Sequence, residues 1–442
     1  MKILLISYHF GPSNTIAAVR TTKIAKYLHR AGHDVEVICG PVQSIDPILE
    51  KDIKEIEKIH RIGRSSLTRS ASVIVQRHNS GKSLNSKLFN ILKKFIKILM
   101  RNKISTYLDL YNSFAWHQKT KPIIKKCVED ANVVIASFGP LGSSLGGLYA
   151  KRLKPSIKLV NDQRDSMIPE TIYGIIRKIH YHYLIKLLKI SDFTFCVSQG
   201  LKNSYLEICR KHNIANIEKI HVITNGYDRE DIQDIDPNEI TESIRESSHK
   251  LILSYCGSLY GGKRDLSALF KMIKELHESG NIDLSNVEIQ YAGNDLDILL
   301  KQAAKFNLVN ILSNFGMVSR KESIRISKNS DISIVATWNT KIEQGVLTGK
   351  IFELLSLNKY IFAFVSGNCG NSEIKDLIKS YNSGITYEEH DRESYFLMKD
   401  IFLKYYNTKI SNRIYMTLCN KSIIEQYDYE NISNTLFSII IS

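Results

Sequence analysis

Apolar positions along this chain fall into two recurring patterns, short continuous runs and stripes at helical spacing. Lys2-Ile3-Leu4-Leu5-Ile6-Ser7 is a continuous run of the kind that is buried on both faces of a parallel sheet. A loop over 8–14 follows, punctuated by Gly11-Pro12. Ile16, Val19, Ile24, Tyr27 and Leu28 then recur at helical spacing, and Ala31-Gly32-His33 ends that helix before the next strand over 34–39, Asp-Val-Glu-Val-Ile-Cys. Strand, helix, strand is a βαβ unit, and it predicts a doubly wound parallel sheet.

The alternation resumes further on. Strands are predicted over 132–137, 157–160, 193–197 and 220–224, the last ending in Asn225-Gly226. The acidic and polar segment 228–248 reads as a linker between domains. A second series follows, with strands over 251–256, 287–292, 310–313, 332–335 and 360–364. Its predicted helices cover 266–279, 296–305, 320–328, 350–357 and 374–380. Two α/β halves of about 200 residues each, facing a cleft, form the simplest architecture.

Composition agrees with a globular chain. Of 442 residues, 43% are hydrophobic and 24% charged, which excludes a mostly disordered or collagen-like protein. The opening residues read as a buried strand rather than a secretory signal, and no apolar run is long enough to span a membrane. Seven cysteines are scattered without a CxxC pair, which favours a reduced cytosol and argues against a disulfide scaffold or a zinc site. The net charge of +15 is concentrated: residues 61–103 hold eleven Lys or Arg and no Asp or Glu. Within that stretch Leu88, Leu92, Phe95 and Leu99 share one helical stripe, and Lys87, Lys94 and Arg101 share another. That is the pattern of an amphipathic helix in an anionic membrane interface, which the absence of interrupting acids favours over a helix packed on a sheet with a solvated basic face.

Three constellations could carry chemistry. Gly257-Ser258-Leu259-Tyr260-Gly261-Gly262-Lys263-Arg264 lies between a strand and a helix, where backbone N–H groups and two cations can face a diphosphate. It is neither GxGxxG nor GxxxxGK[ST], and an ordinary tight turn with solvated charges would look the same. In Thr348-Gly349-Lys350-Ile351-Phe352-Glu353, Lys350 and Glu353 share a helix face; the cation could meet a phosphate and the carboxylate a ribose diol, or the two could simply pair. The third is Asn161-Asp162-Gln163-Arg164-Asp165-Ser166, at the carboxyl end of a strand, where open α/β sheets bind ligands.

In order and spacing these segments resemble bacterial glycosyltransferase family 4, also called group 1. The similar segments are ISYHFGPSNTIAAVRTTKIAKYLHRAGHDVEVI, KLVNDQRDS, HVITNGYD, GSLYGGKRD, NFGMVSRKES and GKIFELLSLNKYIFAF. The resemblance implies a GT-B fold: two Rossmann-like, doubly wound domains facing a central cleft. The acceptor-side domain would cover 1–230, with a basic insertion at 61–103. The nucleotide-sugar domain would cover 231–425, and 426–442 would form a helix returning to the first. By the same resemblance Lys263 and Arg264 grip the donor diphosphate, Gly257 allows its approach and Gly316 lies beside the base. Thr348, Gly349 and Lys350 face the diphosphate and Glu353 holds the ribose. Gly11 approaches from the other domain, and Asp162 and Arg164 act on the acceptor side. No metal and no cofactor is implied beyond the nucleotide-diphosphate sugar, with fixed cations stabilising the leaving group. Two departures stand out. The family's first glutamate, eight residues before the second, falls on Gly345 here, with Glu343 two residues earlier; and a histidine of the first domain is replaced by Asp162, Gln163 and Arg164.

The expected function is therefore retaining transfer of a sugar to a glycan or lipid-linked acceptor in surface polysaccharide synthesis. The expected setting is cytoplasmic, with contact between residues 86–103 and the inner face of the cell membrane. Two alternatives remain. A sugar-nucleotide epimerase would share the fold. A nucleic-acid-binding protein could use the basic stretch, although its sparse aromatics and lack of an RNA-binding signature argue against nucleic acid as a partner.

Overall fold

A computed structural model describes residues 1–63, 104–215, 217–233, 250–411 and 424–442. The amphipathic segment 86–103 and most of the linker 228–248 lie outside the described residues.

The first sheet has seven parallel strands in the order β3-β2-β1-β4-β5-β6-β7. These are β1 (Lys2–Ser7), β2 (Asp34–Cys39), β3 (Lys58–Arg61), β4 (Val133–Ser137), β5 (Lys158–Gln163), β6 (Phe193–Cys196) and β7 (Ile220–Val222). Its helices are α1 (Ile16–Arg30), α2 (Pro47–Ile53), α3 (Ile104–Val128), α4 (Leu141–Leu153), α5 (Gly174–Ile190), α6 (Gln199–Lys211) and the short α7 (Arg229–Gln233). The central strands are apolar on both faces because helices cover both sides, which is why they appear in the sequence as unbroken runs. β5 runs three residues further than its apolar pattern predicts. Asn161, Asp162 and Gln163 are strand residues, buried and hydrogen-bonded.

The second sheet has six parallel strands in the order β10-β9-β8-β11-β12-β13. They are β8 (Leu251–Cys256), β9 (Val287–Ala292), β10 (Leu312–Gly316), β11 (Ile332–Trp338), β12 (Tyr360–Ser366) and β13 (Gly384–Glu388). The helices between and after them are α8 (Ser267–Glu278), α9 (Leu296–Ala304), α10 (Arg320–Asn329), α11 (Lys350–Ser356), α12 (Glu373–Ser380) and α13 (Arg392–Ile410). Two doubly wound α/β units facing a cleft are thus present, as the GT-B expectation requires.

The last helix, α14 (Tyr429–Ile441), crosses back to the first unit and packs on α1. Its Ile432, Leu436 and Ile440 join Ile3, Leu5 and Phe195 in one core. Burying three such side chains contributes roughly 5–9 kcal/mol to that docking. The crossing is tight: a Cβ on Gly226 would stand 2.3 Å from the Tyr427 carbonyl oxygen, so only glycine fits between β7 and the returning segment. No helix of the described residues is long and apolar enough to cross a membrane.

Candidate functional site

A cleft of about 690 Å3 lies between the two sheets, lined from both sides. The volume suits a ligand of nucleotide-sugar size. Its floor is built at strand ends, the usual ligand position in open parallel sheets.

On the second-sheet side, the loop after β8 carries Lys263 and Arg264. Gly261 and Gly262 adopt φ of +65° and +96°, which lets the chain turn sharply before α8. Several of the loop's N–H groups are already engaged: Leu259 donates to Asp295 Oδ2 at 2.7 Å, and Gly262 and Arg264 donate to the Leu259 carbonyl. Gly257 N–H likewise bonds the Ala292 carbonyl. The full positive charges this loop offers to the cleft are the Lys263 and Arg264 side chains. Lys263 Nζ lies 2.7 Å from Glu343, 3.0 Å from Glu170 and 4.8 Å from the Trp338 ring. Arg264 stacks 4.4 Å from the Tyr260 ring centroid and donates to the Ser258 carbonyl at 3.0 Å. Partial burial would lower the Lys263 pKa, but Glu343 and Glu170 outweigh it and hold the ammonium above its ordinary value.

Thr348, Gly349 and Lys350 line the same cleft, although α11 begins at Lys350 rather than at Thr348. Lys350 Nζ donates to Glu353 Oε1 at 2.5 Å and to Ser323 Oγ at 2.7 Å. Glu353 is only 2% exposed, and its second oxygen lies 2.8 Å from Arg320 Nη2. Burial would raise the Glu353 pKa, yet Lys350 and Arg320 prevail and keep it lowered, so the carboxylate is ionised at neutral pH.

Arg320 was not singled out by the sequence, although Ser319 and Glu322 spell a capping box that marks the start of α10; Ser319 Oγ accepts from Glu322 N–H at 3.2 Å. Its guanidinium bridges Glu353 and Asp231, and its backbone N–H donates to Asp46 Oδ2 at 3.1 Å across the interface between the two units. Glu170, also unforeseen, reaches from the first unit to both Lys263 and Thr340. No pattern in its loop marks it beforehand.

The Gly345 departure has a steric cause. Gly345 has φ +66°, and a Cβ there would lie 2.7 Å from the Gly200 Cα and 2.7 Å from Glu373 Oε2. No side chain can stand at that position. Glu343, two residues earlier, is the acidic group this loop presents, and its carboxylate also accepts from Trp338 Nε1 at 3.2 Å. Beside it, Glu373 accepts from the N–H groups of Gln199 and Gly200 at the start of α6, another bridge between the units.

The first-unit candidates divide. Arg164 lines the cleft, braced by donating to the Phe138 and Gly139 carbonyls. Asp165, its neighbour, also lines the cleft with its side chain 64% exposed and 3.4 Å from Arg164 Nη1. Asp162 does not line it. That carboxylate is 1% exposed, paired with Arg20 at 2.8 Å and hydrogen-bonded by Ser137 at 2.8 Å. Gly11 is buried under α1 and α2, its N–H on Thr22 Oγ1, and a Cβ there would press on Ile53, Leu49 and Thr22. The nearby cleft wall is instead formed by Asn14, Thr15 and Ile16. Gly316 ends β10 behind the cleft-lining Met317 and Val318, with its carbonyl bonded to Gly293 N–H.

The cleft thus gathers Lys263, Arg264, Arg320, Lys350 and Arg164 around buried carboxylates. Such a site can hold a diphosphate among cations and a diol at a carboxylate. No family model matches this sequence, and no curated protein matches it. Solved structures do share the fold. Anabaena HepE in complex with UDP and glucose superposes with a TM-score of 0.61 at 14% identity, covering 100% of both chains. A glycosyltransferase from Rickettsia africae gives 0.56 at 16% identity, over 99% of this chain and 97% of that one. The UDP-GlcNAc 2-epimerase of Methanocaldococcus jannaschii gives 0.53 at 15% identity, over 100% and 99%.

Proposed function

We propose that this protein is a glycosyltransferase that takes a sugar from a nucleotide-diphosphate donor. The observation that carries the reading is the convergence of Lys263, Arg264, Arg320 and Lys350 with the buried Glu353 in the cleft between two doubly wound units. Several similar solved structures, such as the HepE complex, are of glycosyltransferases or hold UDP and sugar, which supports the same donor class. In this reading Glu353 accepts hydrogen bonds from the ribose hydroxyls. Lys263 and Arg264 draw off the negative charge that develops on the departing diphosphate. That role needs the ion pairs of Lys263 with Glu170 and Glu343 to rearrange around the bound donor. Arg164 and Asp165 face the acceptor from the other wall, with Asp162 behind them as the buried anchor of β5.

The finer reading follows the resemblance to family 4: retention of anomeric configuration, no metal requirement, and a glycan or lipid-linked acceptor in surface polysaccharide synthesis. The basic segment 86–103 would hold the enzyme at the inner face of an anionic membrane. Epimerisation of a sugar nucleotide is the competing activity, because an epimerase shares the fold. Incubation with UDP-, GDP- and ADP-sugars, followed by NMR of the products, separates the two. Transfer gives free nucleoside diphosphate and an acceptor-dependent glycoside of unchanged anomeric configuration. A nucleotide sugar inverted at C2 without any acceptor would overturn the transferase reading.

A further inference from the structure

Glu36 on β2, His60 on β3 and Cys127 in the last turn of α3 meet on one face of the first sheet, outside the cleft lining. His60 Nε2 lies 2.8 Å from Glu36 Oε1, Cys127 Sγ lies 3.2 Å from the same oxygen, and the sulfur and ring nitrogen are 3.9 Å apart. Around a tetrahedral zinc ion with bonds of about 2.0–2.1 Å to N and O and about 2.3 Å to S, such atoms stand roughly 3.3–3.6 Å apart. Each distance is within about 0.6 Å of that geometry. Glu36 Oε1 accepts from the Cys127 thiol and lies within hydrogen-bond distance of His60 Nε2, so a metal ion would take the place of these contacts.

We propose that Glu36, His60 and Cys127 bind a divalent zinc-type metal ion, with the fourth position left to water. One soft thiolate, one imidazole and one carboxylate form a donor set that favours zinc over magnesium or calcium. All three ligands sit on regular elements, so little must be ordered on binding. Glu36 is 6% and Cys127 3% exposed, while the His60 side chain is 36% exposed and leaves a path for the ion. Glu36 would ligate through Oε1 alone. Its Oε2 is held 3.0 Å from Lys2 Nζ, which orients the carboxylate and, as a cation, also limits affinity. Binding releases the Cys127 thiol proton to solvent and takes the neutral imidazole as its Nδ1–H tautomer, the ring proton shifting from Nε2 to Nδ1 through solvent so that the Nε2 lone pair reaches the metal. The ligands lie 24 and 67 residues apart in sequence, a spacing that no metal motif marks. The second cluster of carboxylates, Asp52, Asp228 and Asp231, is different: Lys23 and Lys26 already neutralise it.

The test is titration of the metal-free full-length chain with cobalt(II), then zinc(II). The expected result is one equivalent of cobalt per chain with a thiolate charge-transfer band, bleached by zinc. Cys127→Ser abolishes the band, and His60→Ala weakens binding by at least about tenfold, no less than the loss of an outer-shell partner costs. Lys2→Gln strengthens binding severalfold. His60 is half-exposed, so its variant reports on the metal even if Cys127→Ser folds poorly. No band in the wild type, an unchanged band in Cys127→Ser, or equal affinity in His60→Ala would each overturn the site and leave the trio a hydrogen-bond network.

Discussion

Replacing Asp162 by Asn leaves the Arg20 guanidinium, 2% exposed, without its carboxylate partner. Three contacts of 2.8, 3.2 and 3.3 Å join the two side chains, and Arg20 also donates to the carbonyls of Thr224 and Ile223. The pair therefore ties α1, β5 and the segment after β7 together. Opposite charges 2.8 Å apart attract by about 6 kcal/mol at an effective dielectric constant near 20. Removing one partner of a buried pair typically costs about 3–5 kcal/mol, because the other charge stays buried. For a unit of roughly 150–250 residues each kcal/mol moves Tm by about 2–4 °C, so Asp162→Asn should melt about 6–20 °C lower. Thermal unfolding by circular dichroism reads this directly. Arg20→Gln in the same chain should recover part of the loss, and the double-mutant cycle gives the coupling. Below the melt, nucleotide affinity should be unchanged. A variant with wild-type Tm and abolished transfer would refute the reasoning and put Asp162 on the substrate.

Loss of both Lys263 and Arg264 to Ala should lower kcat more than it raises KM, because their charge is needed most as the diphosphate departs; a raised KM alone would mean uniform binding. Glu353→Gln should weaken nucleotide-sugar affinity by roughly tenfold to a hundredfold, from the loss of about 1.5–3 kcal/mol of charged hydrogen bonding, as read by calorimetry. Gln is the informative replacement, since Ala would also leave Lys350 and Arg320 facing each other over a void. The lowered Glu353 pKa contributes stability that is present above the unfolded carboxylate value of about 4.3 and is lost as pH falls through the folded value. The Tm advantage of wild type over Glu353→Gln should accordingly shrink below about pH 4. Binding to anionic vesicles should fall steeply with salt and vanish when Lys93, Lys94 and Lys97 become Glu; indifference to such vesicles at low salt would remove the membrane role.

What the sequence makes legible follows from burial. β1 and β8 begin and end where their apolar runs do, because central parallel strands are apolar on both faces, while β2 and β9, Asp-Val-Glu-Val-Ile-Cys and Val-Glu-Ile-Gln-Tyr-Ala, are legible from alternating apolar positions. β3, Lys-Ile-His-Arg at a sheet edge, has no such run, and neither has β13. The long α3 shows no clean stripe and contains Pro122. β5 outruns its apolar pattern because Asn161, Asp162 and Gln163 are buried through bonds to one another, to Arg20 and to Tyr205. For the site, Lys263, Arg264, Lys350 and Glu353 could be placed from glycine-bearing turns next to strands. Arg320 to Asp46, Glu170 to Lys263 and Glu373 to the start of α6 are pairings between units far apart in sequence, and only the folded chain brings them together.

The central claim is that the cleft receives a nucleotide diphosphate on Lys263, Arg264, Lys350 and Glu353. Isothermal titration of the full chain with UDP, GDP and ADP tests it most directly. The account predicts one site per chain for at least one of the three, with affinity reduced at least about tenfold in both Lys263→Ala and Glu353→Gln. Failure of all three nucleotides to bind, or binding that both variants leave untouched, would contradict it.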